Sequence, residues 1–555
     1  MRKSLTSIVL GTGLLSCAAA AQALPEPAAP RQGVRSVVEV RAMDLDVVAT
    51  KDGAFVEDLR KEEFTVRVDG KPVALDYFAR VDAGVLSAPA PGQLSPDLLA
   101  EAVRQPEGPP MLERQFLVFY DDEHIRAPEK NRLLESLRGL VERLRRDDWM
   151  SLVSYREGKL SVLVPYTTSK EDLLDGAARL EKVLPRGTFW DGEARRQLLD
   201  IRRMRGETRR NAIRQWSALI AQRESSTLEE LRRAASALSA RSGKRLLIYL
   251  SGGLELRPGQ GLMQELGALL PNLGIPEIEF YERSVGDELR AVVRQANAAG
   301  VTVHALDAKG LEADIDTDRT ESTLQESARP NTLIGARLQR ETLETLSAQT
   351  GGTLVANRNV LPDSLDRIYR DSSRYYSLGI TLANMDARQP EHRVEVTTSR
   401  PGVVVRSRRS YLARSPADAL RDWVEMALLT PKVNGEFPVQ LAIGPPRTGK
   451  GSERLSPFDL SVKIADLTFT EEAGKRKAIV DIAYAAVEDT GAHSKPVIER
   501  RTIVVEPDKM ADALQQSFPH KGELKSGKGN LRVVVAVRDA ASGRVGLASR
   551  SLRID

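Results

Sequence analysis

Apolar and polar positions follow two different periods along this chain. Nearly continuous apolar runs at 116–120, 246–250 and 301–306 are typical of strands buried on both faces of a parallel sheet. Between these runs, apolar residues recur at helical spacing, as in 133–144, which indicates amphipathic helices. Because strands and helices follow one another in this way, the pattern predicts an α/β unit over residues 113–373.

Shorter segments on both sides of this unit alternate between apolar and polar residues, as half-exposed strands do. Residues 36–82 contain such strands around a hairpin turn at Asp69-Gly70, and residues 374–412 add strands without helices. The first group is too short for a robust core. We therefore predict that the two groups form one β-sandwich into which the α/β unit is inserted. The many strand-like segments of residues 431–555, with turns between them, predict a separate C-terminal β-sandwich.

The segments that join these units have compositions of their own. Proline-rich residues 24–35 and 83–112 predict loose linkers, and residues 413–430 predict a short helical connector. Two polar stretches, 311–335 and 513–530, are predicted to be exposed loops. The chain is therefore expected to hold several domains.

Residues 192–241 predict a helical insertion within the α/β unit. Arginines crowd its first half, at Arg195, Arg196, Arg202, Arg203, Arg205, Arg209 and Arg210. Such a charge run is typical of a solvated helix face. The alternative is a surface for an acidic partner, because guanidinium groups pair bidentately with carboxylate or phosphate.

Residues 1–23 have the pattern of an export signal peptide. A positive start at Arg2 and Lys3 precedes an apolar stretch, and residues 21–23 offer an Ala-x-Ala cleavage site. An alternative is lipid attachment at Cys17, which ends a stretch that resembles a bacterial lipobox. We predict an exported protein, periplasmic or secreted, that contacts a membrane only through such an anchor. Because Cys17 is the only cysteine, the mature chain would hold no disulfide.

The composition of the chain argues against nucleic-acid binding and membrane-spanning functions, but it does not identify a particular function. The 555 residues include 41% apolar ones, and 81 basic against 77 acidic residues give a net charge of +4. This balance offers no case for nucleic-acid binding by the whole protein. Beyond the N-terminus, the sequence has no stretch that is long and apolar enough to span a membrane.

The candidate site follows the first apolar run. Asp121, Asp122, Glu123 and His124 come directly after it, and ligands bind at the carboxyl ends of the strands in open α/β sheets. Oxygen ligands such as Asp121 and Glu123 suit Mg²⁺, whereas His124 would favour a transition metal. The alternative is that Asp121 and Asp122 cap the following helix.

Other polar residues are weaker candidates for chemistry. Ser251 precedes two glycines at the end of the second apolar run, but the Gly-x-Ser-x-Gly pattern of a nucleophile turn is missing. His304 lies inside the third run and is predicted to be a hydrogen-bonded core histidine. The sequence has no Walker-type phosphate loop. We therefore expect that the protein is not an enzyme.

Several motifs together resemble those of a known family. They lie, in this order, at 58–78, 119–124, 350–352, 375–379 and 406–411. The set is similar to the landmarks of secreted bacterial proteins called VWFA-related, which contain a von Willebrand factor type A (VWA) domain. The resemblance covers about residues 36–412. It implies a doubly wound, Rossmann-like sheet for the α/β unit.

The resemblance also implies a metal-ion-dependent adhesion site in degenerate form. Type A domains often bind a divalent cation through an Asp and two Ser after the first strand, a later Thr and a late Asp. Here Asp121 and Thr188 match, Glu123 replaces one serine with another oxygen ligand, and Ile125 and Gly252 cannot coordinate. The remaining ligands of a Mg²⁺ ion would be Asp121, Glu123 and Thr188.

These observations predict an exported protein that binds another protein, in adhesion or as a scaffold, with no cofactor beyond such a cation. The predicted binding face comprises Asp121, Asp122, Glu123, His124, Thr188 and Ser251. One alternative is a metal-assisted hydrolase that uses the Asp-Asp-Glu-His cluster. The other is a structural envelope protein with a relict site.

Overall fold

The computed structural model describes most of the chain, with several gaps. The described residues are 41–87, 112–240, 243–269, 284–309, 329–356, 362–382, 391–412, 415–430, 435–449, 454–472, 474–488, 493–526 and 529–554. The predicted signal peptide, Cys17, the linker 24–35 and most of the linker 83–112 lie outside them. Across the described ranges, no helix is both long enough and apolar enough to cross a membrane.

The helices and strands are numbered in chain order. The first segment contains β1 (Arg41–Lys51), β2 (Ala54–Phe55), β3 (Phe64–Val68), β4 (Lys71–Val73), β5 (Tyr77–Asp82) and β6 (Val85–Ser87). The α/β unit contains β7 (Arg114–Asp121), α1 (Ala127–Arg143), β8 (Asp148–Arg156), β9 (Lys159–Thr167), α2 (Lys170–Glu181), α3 (Arg186–Arg203), α4 (Gly206–Ser239), β10 (Lys244–Ser251), α5 (Gln260–Leu269), α6 (Gly286–Ala298), β11 (Val301–Asp307), α7 (Arg329–Gln349), β12 (Leu354–Val355) and α8 (Pro362–Ser373).

The remaining elements are strands with two helices. They are β13 (Arg374–Leu382), β14 (Glu391–Thr398), β15 (Val404–Arg406), β16 (Ser410–Leu412), α9 (Pro416–Leu429), β17 (Gln440–Ile443), β18 (Arg447–Thr448), β19 (Arg454–Lys463), β20 (Thr470–Glu472), β21 (Lys475–Glu488), β22 (Val497–Val505), α10 (Met510–Ala513), β23 (Ser517–Ser526), β24 (Gly529–Asp539) and β25 (Val545–Ile554).

A six-stranded sheet forms the centre of the α/β unit, in the order β12-β11-β10-β7-β8-β9. Its neighbouring strands are parallel, except that the edge strand β9 runs antiparallel to β8. All eight residues of β7 are buried, because helices cover both faces of the sheet. Helices α1, α2 and α8 pack on one face, and α4, α6 and α7 pack on the other. The sheet is therefore doubly wound.

Strands from before and after the α/β unit pair with each other. β1 lies antiparallel to β13, and β3 lies antiparallel to β14. An aromatic cluster of Phe55, Phe64, Phe78 and Tyr376 packs between these strands, with ring centroids 5.3–5.8 Å apart. Two segments that are distant in sequence thus share one apolar core, which neither could build alone.

The C-terminal strands form two further antiparallel sheets that enclose a core of their own. One sheet contains β17, β18, β19 and β23, and the other contains β20, β21, β22, β24 and β25. Helix α9 connects this part to the α/β unit, since Arg233 of α4 donates to Glu425 of α9 at 2.9 Å. The mixed fold class, α/β together with antiparallel β-sheets, is therefore confirmed.

Both polar stretches that were predicted to be loops contain regular structure. Residues 517–526 form β23, which pairs along its whole length with β19. The prediction was wrong because lysines on the exposed side of the strand hide a weak alternation, in which Phe518 and Leu524 face the core. Helix α7 begins at Arg329, so the loop predicted over 311–335 is wrong for its last residues. Pro330 is compatible with this start, since the first turn of a helix tolerates proline.

Candidate functional site

The predicted site lies at the carboxyl end of the central sheet, but it is not on the surface. Asp121 ends β7, the next three residues follow it, and Ser251 ends β10. Asp121, Asp122, Glu123, His124 and Ser251 are at most 7% exposed. Helices α3 and α4 cover this edge of the sheet, as the contacts of Glu123 and His124 below show. Of the six predicted face residues, Thr188 alone is exposed.

His124 lies between two carboxylates. Its Nδ1 donates to Asp121 Oδ2 at 2.8 Å, and its Nε2 lies 2.8 Å from Glu224 Oε2 of α4, as an ion pair without the alignment of a hydrogen bond. Burial alone lowers the pKa of His124, but the two carboxylates outweigh burial and raise the pKa to about 9. The ring is therefore an imidazolium at neutral pH.

Asp121 accepts hydrogen bonds from three side chains. Besides His124, Tyr249 Oη donates to its Oδ2 at 2.6 Å, and Ser251 Oγ donates to the same atom at 2.7 Å. Ser251 Oγ also accepts from the backbone N–H of Gly253 at 3.0 Å. A hydroxyl that donates to a carboxylate and is 0% exposed is not an activated nucleophile. Ser251 therefore holds Asp121 in position.

Glu224 links the cluster to a second cation. Arg223 donates to Glu224 Oε1 at 2.6 Å, and its guanidinium lies 4.8 Å from the centre of the Trp190 ring. Burial raises the pKa of Glu224, but Arg223 and His124 outweigh it and lower that pKa to about 2. The buried groups thus alternate in sign, from Asp121 through His124 and Glu224 to Arg223, and neutralise one another.

The carboxylates of Glu123 and Asp122 also have partners inside the protein. Glu123 accepts from the Trp190 indole N–H at 2.6 Å and from the backbone N–H of Glu157 at 2.5 Å. Asp122 Oδ2 accepts from Arg156 at 2.8 Å. Burial raises the pKa of Asp122 to about 6. Both carboxylates therefore anchor neighbouring segments to the end of β7.

Thr188 caps the helix that the aspartates were predicted to cap. Its Oγ1 accepts from the backbone N–H of Ala127, the first residue of α1, at 2.9 Å. Glu129 accepts from the N–H of Arg126 at 2.9 Å. The interpretation of Asp121 and Asp122 as helix caps is therefore wrong, because residues from α3 and from the first turn of α1 satisfy these donors.

Two glycines let the loops at the sheet edge meet backbone to backbone. A Cβ on Gly252 would lie 2.2 Å from the carbonyl oxygen of His124, and a Cβ on Gly187 would lie 2.4 Å from that of Ile125. A side chain of any size at these two positions would push the loops apart. Gly252 is the position at which the resemblance would place a late aspartate, and an aspartate has no room there.

The residues at this edge do not fit the divalent cation that the resemblance implies. The carboxylates of Asp121 and Glu123 already accept hydrogen bonds from protein groups, and the Thr188 hydroxyl accepts one from the first residue of α1. Throughout the described ranges, no group of three or more His, Cys, Asp or Glu side chains is arranged to hold a metal. The imidazolium of His124 lies beside Asp121, in the place where a metal cation would neutralise this carboxylate.

Four residues of the buried cluster were not predicted from the sequence, namely Glu224, Arg223, Tyr249 and Trp190. A signal for Glu224 was present, because it shares a helix face with Ile220, Thr227 and Leu228, all buried. A charged residue on an apolar stripe indicates a buried ion pair. His304 was predicted correctly, since its buried Nδ1 accepts from the N–H of Thr353 at 3.2 Å.

Comparisons with known proteins give no family for this chain. No protein-family model matches it, and no curated protein is significantly similar to it. Two solved structures that match this chain do so with low TM-scores. Three N-terminal domains of the type V pili tip protein Mfa5 from Porphyromonas gingivalis are 9% identical, with 73% of this chain and 76% of that chain covered and a TM-score of 0.27. A β-glucuronidase from Bacteroides uniformis is 8% identical, with 32% and 19% covered and a TM-score of 0.15.

Proposed function

We propose that this chain is an exported, non-enzymatic binding protein whose α/β unit is similar to a VWA domain with a degenerate cation site. Support comes from the doubly wound sheet and from Asp121 at the carboxyl end of β7, where open α/β sheets carry their sites. The partner would be another protein, in adhesion or in a scaffold. The β-sheets on both sides would hold the α/β unit in position.

One observation carries this proposal. The polar side chains at the sheet edge are buried, and they bind one another instead of opening onto a cleft. They therefore act as a rigid support for the helices above them, and the outer surface of α3 and the start of α4 is what a partner would meet. Thr188 belongs to this surface. The residues that hold the surface in position are Asp121, Asp122, Glu123, His124 and Ser251.

The geometry favours binding over metal-assisted hydrolysis. A hydrolase would need a cation with an open position and an accessible base. The imidazolium of His124 has no lone pair to offer a metal, and the Ser251 hydroxyl donates a hydrogen bond to Asp121. We expect a broad panel of ester, phosphate and peptide substrates to show equal background turnover with the wild type and with Asp121→Asn. Turnover by the wild type alone would contradict the proposal.

Calorimetric titration tests the cation separately. We expect Mg²⁺, Mn²⁺ and Zn²⁺ to give no saturable heat with the mature protein, because His124 already neutralises Asp121. Saturable binding that Asp121→Asn abolishes would restore the metal-dependent adhesion site. The same loss with an unrelated exposed substitution, Asp508→Asn, would indicate unspecific binding instead.

Capture of a partner tests the binding function itself. The immobilised mature chain is incubated with envelope extract of the producing organism, and the retained proteins are identified. We expect Thr188→Arg to weaken this capture, because it places a long side chain on the exposed surface beside α1. Thr502→Arg, which is exposed on β22 of the C-terminal sheets, controls for the added charge. A chain that retains nothing would favour the structural envelope protein with a relict site.

A further inference from the structure

The outer side of α3 is an arginine-rich surface. The inner side of this helix packs Trp190, Leu198 and Ile201 against α4 and α5, in a small core separate from those of the central sheet. Among the exposed residues of the outer side, four arginines surround one leucine at helical spacing. These residues, called the arginine face below, are Arg195, Arg196, Leu199, Arg202 and Arg203.

The charge of the chain is concentrated at this surface. Residues 195–214 contain eight arginines, no lysine and two acids, a net charge of +6, whereas the whole chain carries +4. Arg196 of this stretch pairs with Glu193 of the same helix, and Glu207 pairs with Arg210 at 2.6 Å. Arg202, Arg203 and Arg205 have no acidic partner among the residues that the structure describes. The face therefore has guanidinium groups free to bind anions from outside.

An apolar side chain lies in the middle of these charges. Leu199 is 47% exposed, and arginines stand three and four residues before it and three and four residues after it. A partner that fits this arrangement has one apolar side chain surrounded by anionic groups. Such a partner buries Leu199 in a small apolar centre, and its rim forms charge-assisted hydrogen bonds.

We propose that the arginine face binds an acidic polypeptide segment, with Leu199 against an apolar side chain of the partner and the four guanidiniums on its carboxylates. This inference rests on the proposed function and gives its partner a chemistry. Each guanidinium presents a planar fork that matches the two oxygens of a carboxylate. The buried cluster beneath α3 keeps the helix fixed, so little ordering is needed when the partner binds.

Three features favour a polypeptide over an anionic lipid surface. Lipid headgroups attract lysine and arginine alike through charge, but residues 195–214 contain arginine only. Asp200 and Glu207 are exposed within the same stretch, and they would repel a uniform sheet of phosphates while tolerating a patterned partner. Leu199 is the one apolar residue of the arginine face, and the ring of Phe189, exposed on the same helix, is already covered by the Arg186 guanidinium at 4.7 Å, so little apolar area is left for insertion into a bilayer.

The first test measures binding of a synthetic helical peptide of alanine and glutamate with one central leucine, by fluorescence anisotropy at low salt. The four-glutamine variant carries Arg195→Gln, Arg196→Gln, Arg202→Gln and Arg203→Gln. The matched control removes four exposed charges from the C-terminal part of the chain, through Arg447→Gln, Lys463→Gln, Lys495→Gln and Lys509→Gln. Circular dichroism of all chains verifies that they fold.

We expect the four-glutamine variant to bind the peptide at least about tenfold more weakly than the wild type, because four ion pairs are lost. The matched control should bind as the wild type does. Lysine at the same four positions should weaken binding several-fold, and Leu199→Ser should weaken it as well. A peptide with glutamine in place of glutamate should not bind.

Other results would overturn the inference. If the matched control bound the peptide as weakly as the four-glutamine variant, binding would depend on net charge alone. If the lysine variant bound the peptide as tightly as the wild type, the guanidinium fork would have no role. Vesicles of equimolar phosphatidylglycerol and phosphatidylcholine form the second arm. Co-sedimentation with these vesicles that depends on the four arginines, without peptide binding, would identify a lipid surface instead.

Failure of this inference differs from failure of the proposed function. If envelope extract yields a partner that the wild type and the four-glutamine variant retain equally, the protein binds through another surface and only the arginine face is wrong. If the wild type retains no partner and no peptide, both are wrong.

Discussion

At the scale of single residues, His124 gives the stability of the protein a defined pH dependence. Its pKa rises from an ordinary 6.5 to about 9 in the folded state, so the stabilisation is complete below about pH 6.5 and is lost as the pH rises toward about 9. We expect urea unfolding of the wild type to lose roughly 3 kcal/mol across this window. We expect His124→Gln to be less stable than the wild type at low pH and to lack this dependence of the unfolding free energy on pH. If the unfolding free energies of the two proteins changed in parallel with pH, this would contradict an imidazolium at position 124 in the folded state.

Gly252 tests the close contact between the two loops at the sheet edge. Gly252→Ala places a Cβ 2.2 Å from the carbonyl oxygen of His124, and the forced backbone shift should cost about 1–3 kcal/mol of unfolding free energy. Gly192→Ala is the control, because it lies within α3 with nothing inside 4 Å; it should be neutral or stabilising by about 0.5–1 kcal/mol. Equal effects of the two substitutions would show that the loops are not in contact.

At the scale of elements, Thr188 connects two helices that are far apart in the sequence. Thr188→Val keeps the shape of the side chain but removes the acceptor for the N–H of Ala127. We expect a loss of about 1 kcal/mol, as for other helix caps, and faster amide exchange in the first turn of α1. Thr188→Ser should restore both. Thr208→Val serves as the exposed control, and an identical loss there would contradict the cap.

At the scale of the whole molecule, a buried ion network joins the α/β unit to helix α9. Arg233 donates to Glu425 at 2.9 Å and to Glu230 at 2.8 Å, and it is 3% exposed. Arg233→Ala removes the ion pair of the buried Glu425 and leaves Glu230 with His493 at 3.5 Å, and it should cost about 3–5 kcal/mol. Arg232→Ala, which removes a pair with the exposed Glu229, should cost less than about 1 kcal/mol. Similar losses for both in urea unfolding would show that the network does not hold α9.

The sequence by itself determined the kinds of element and the mixed fold class. The faces on which an element is buried determine how its apolar residues recur along the sequence. Strands that are buried on both faces are apolar almost throughout, so β7, β10 and β11 could be recognised from their apolar runs. The place of Asp121 at the end of β7 followed from the same pattern. Arginines on the outer side of α3 were also predicted, since a helix face this dense in charge stays in water.

The tertiary structure decided which charges meet. His124 and Glu224 are one hundred residues apart, and only the packing of α4 over the sheet edge brings them to 2.8 Å. The same packing buried Asp121 and Ser251, and it made Thr188 a helix cap. These contacts depend on the arrangement of helices above the sheet, which a local period does not encode, because the free energy of an ion pair depends on the partner and on burial rather than on neighbours in sequence.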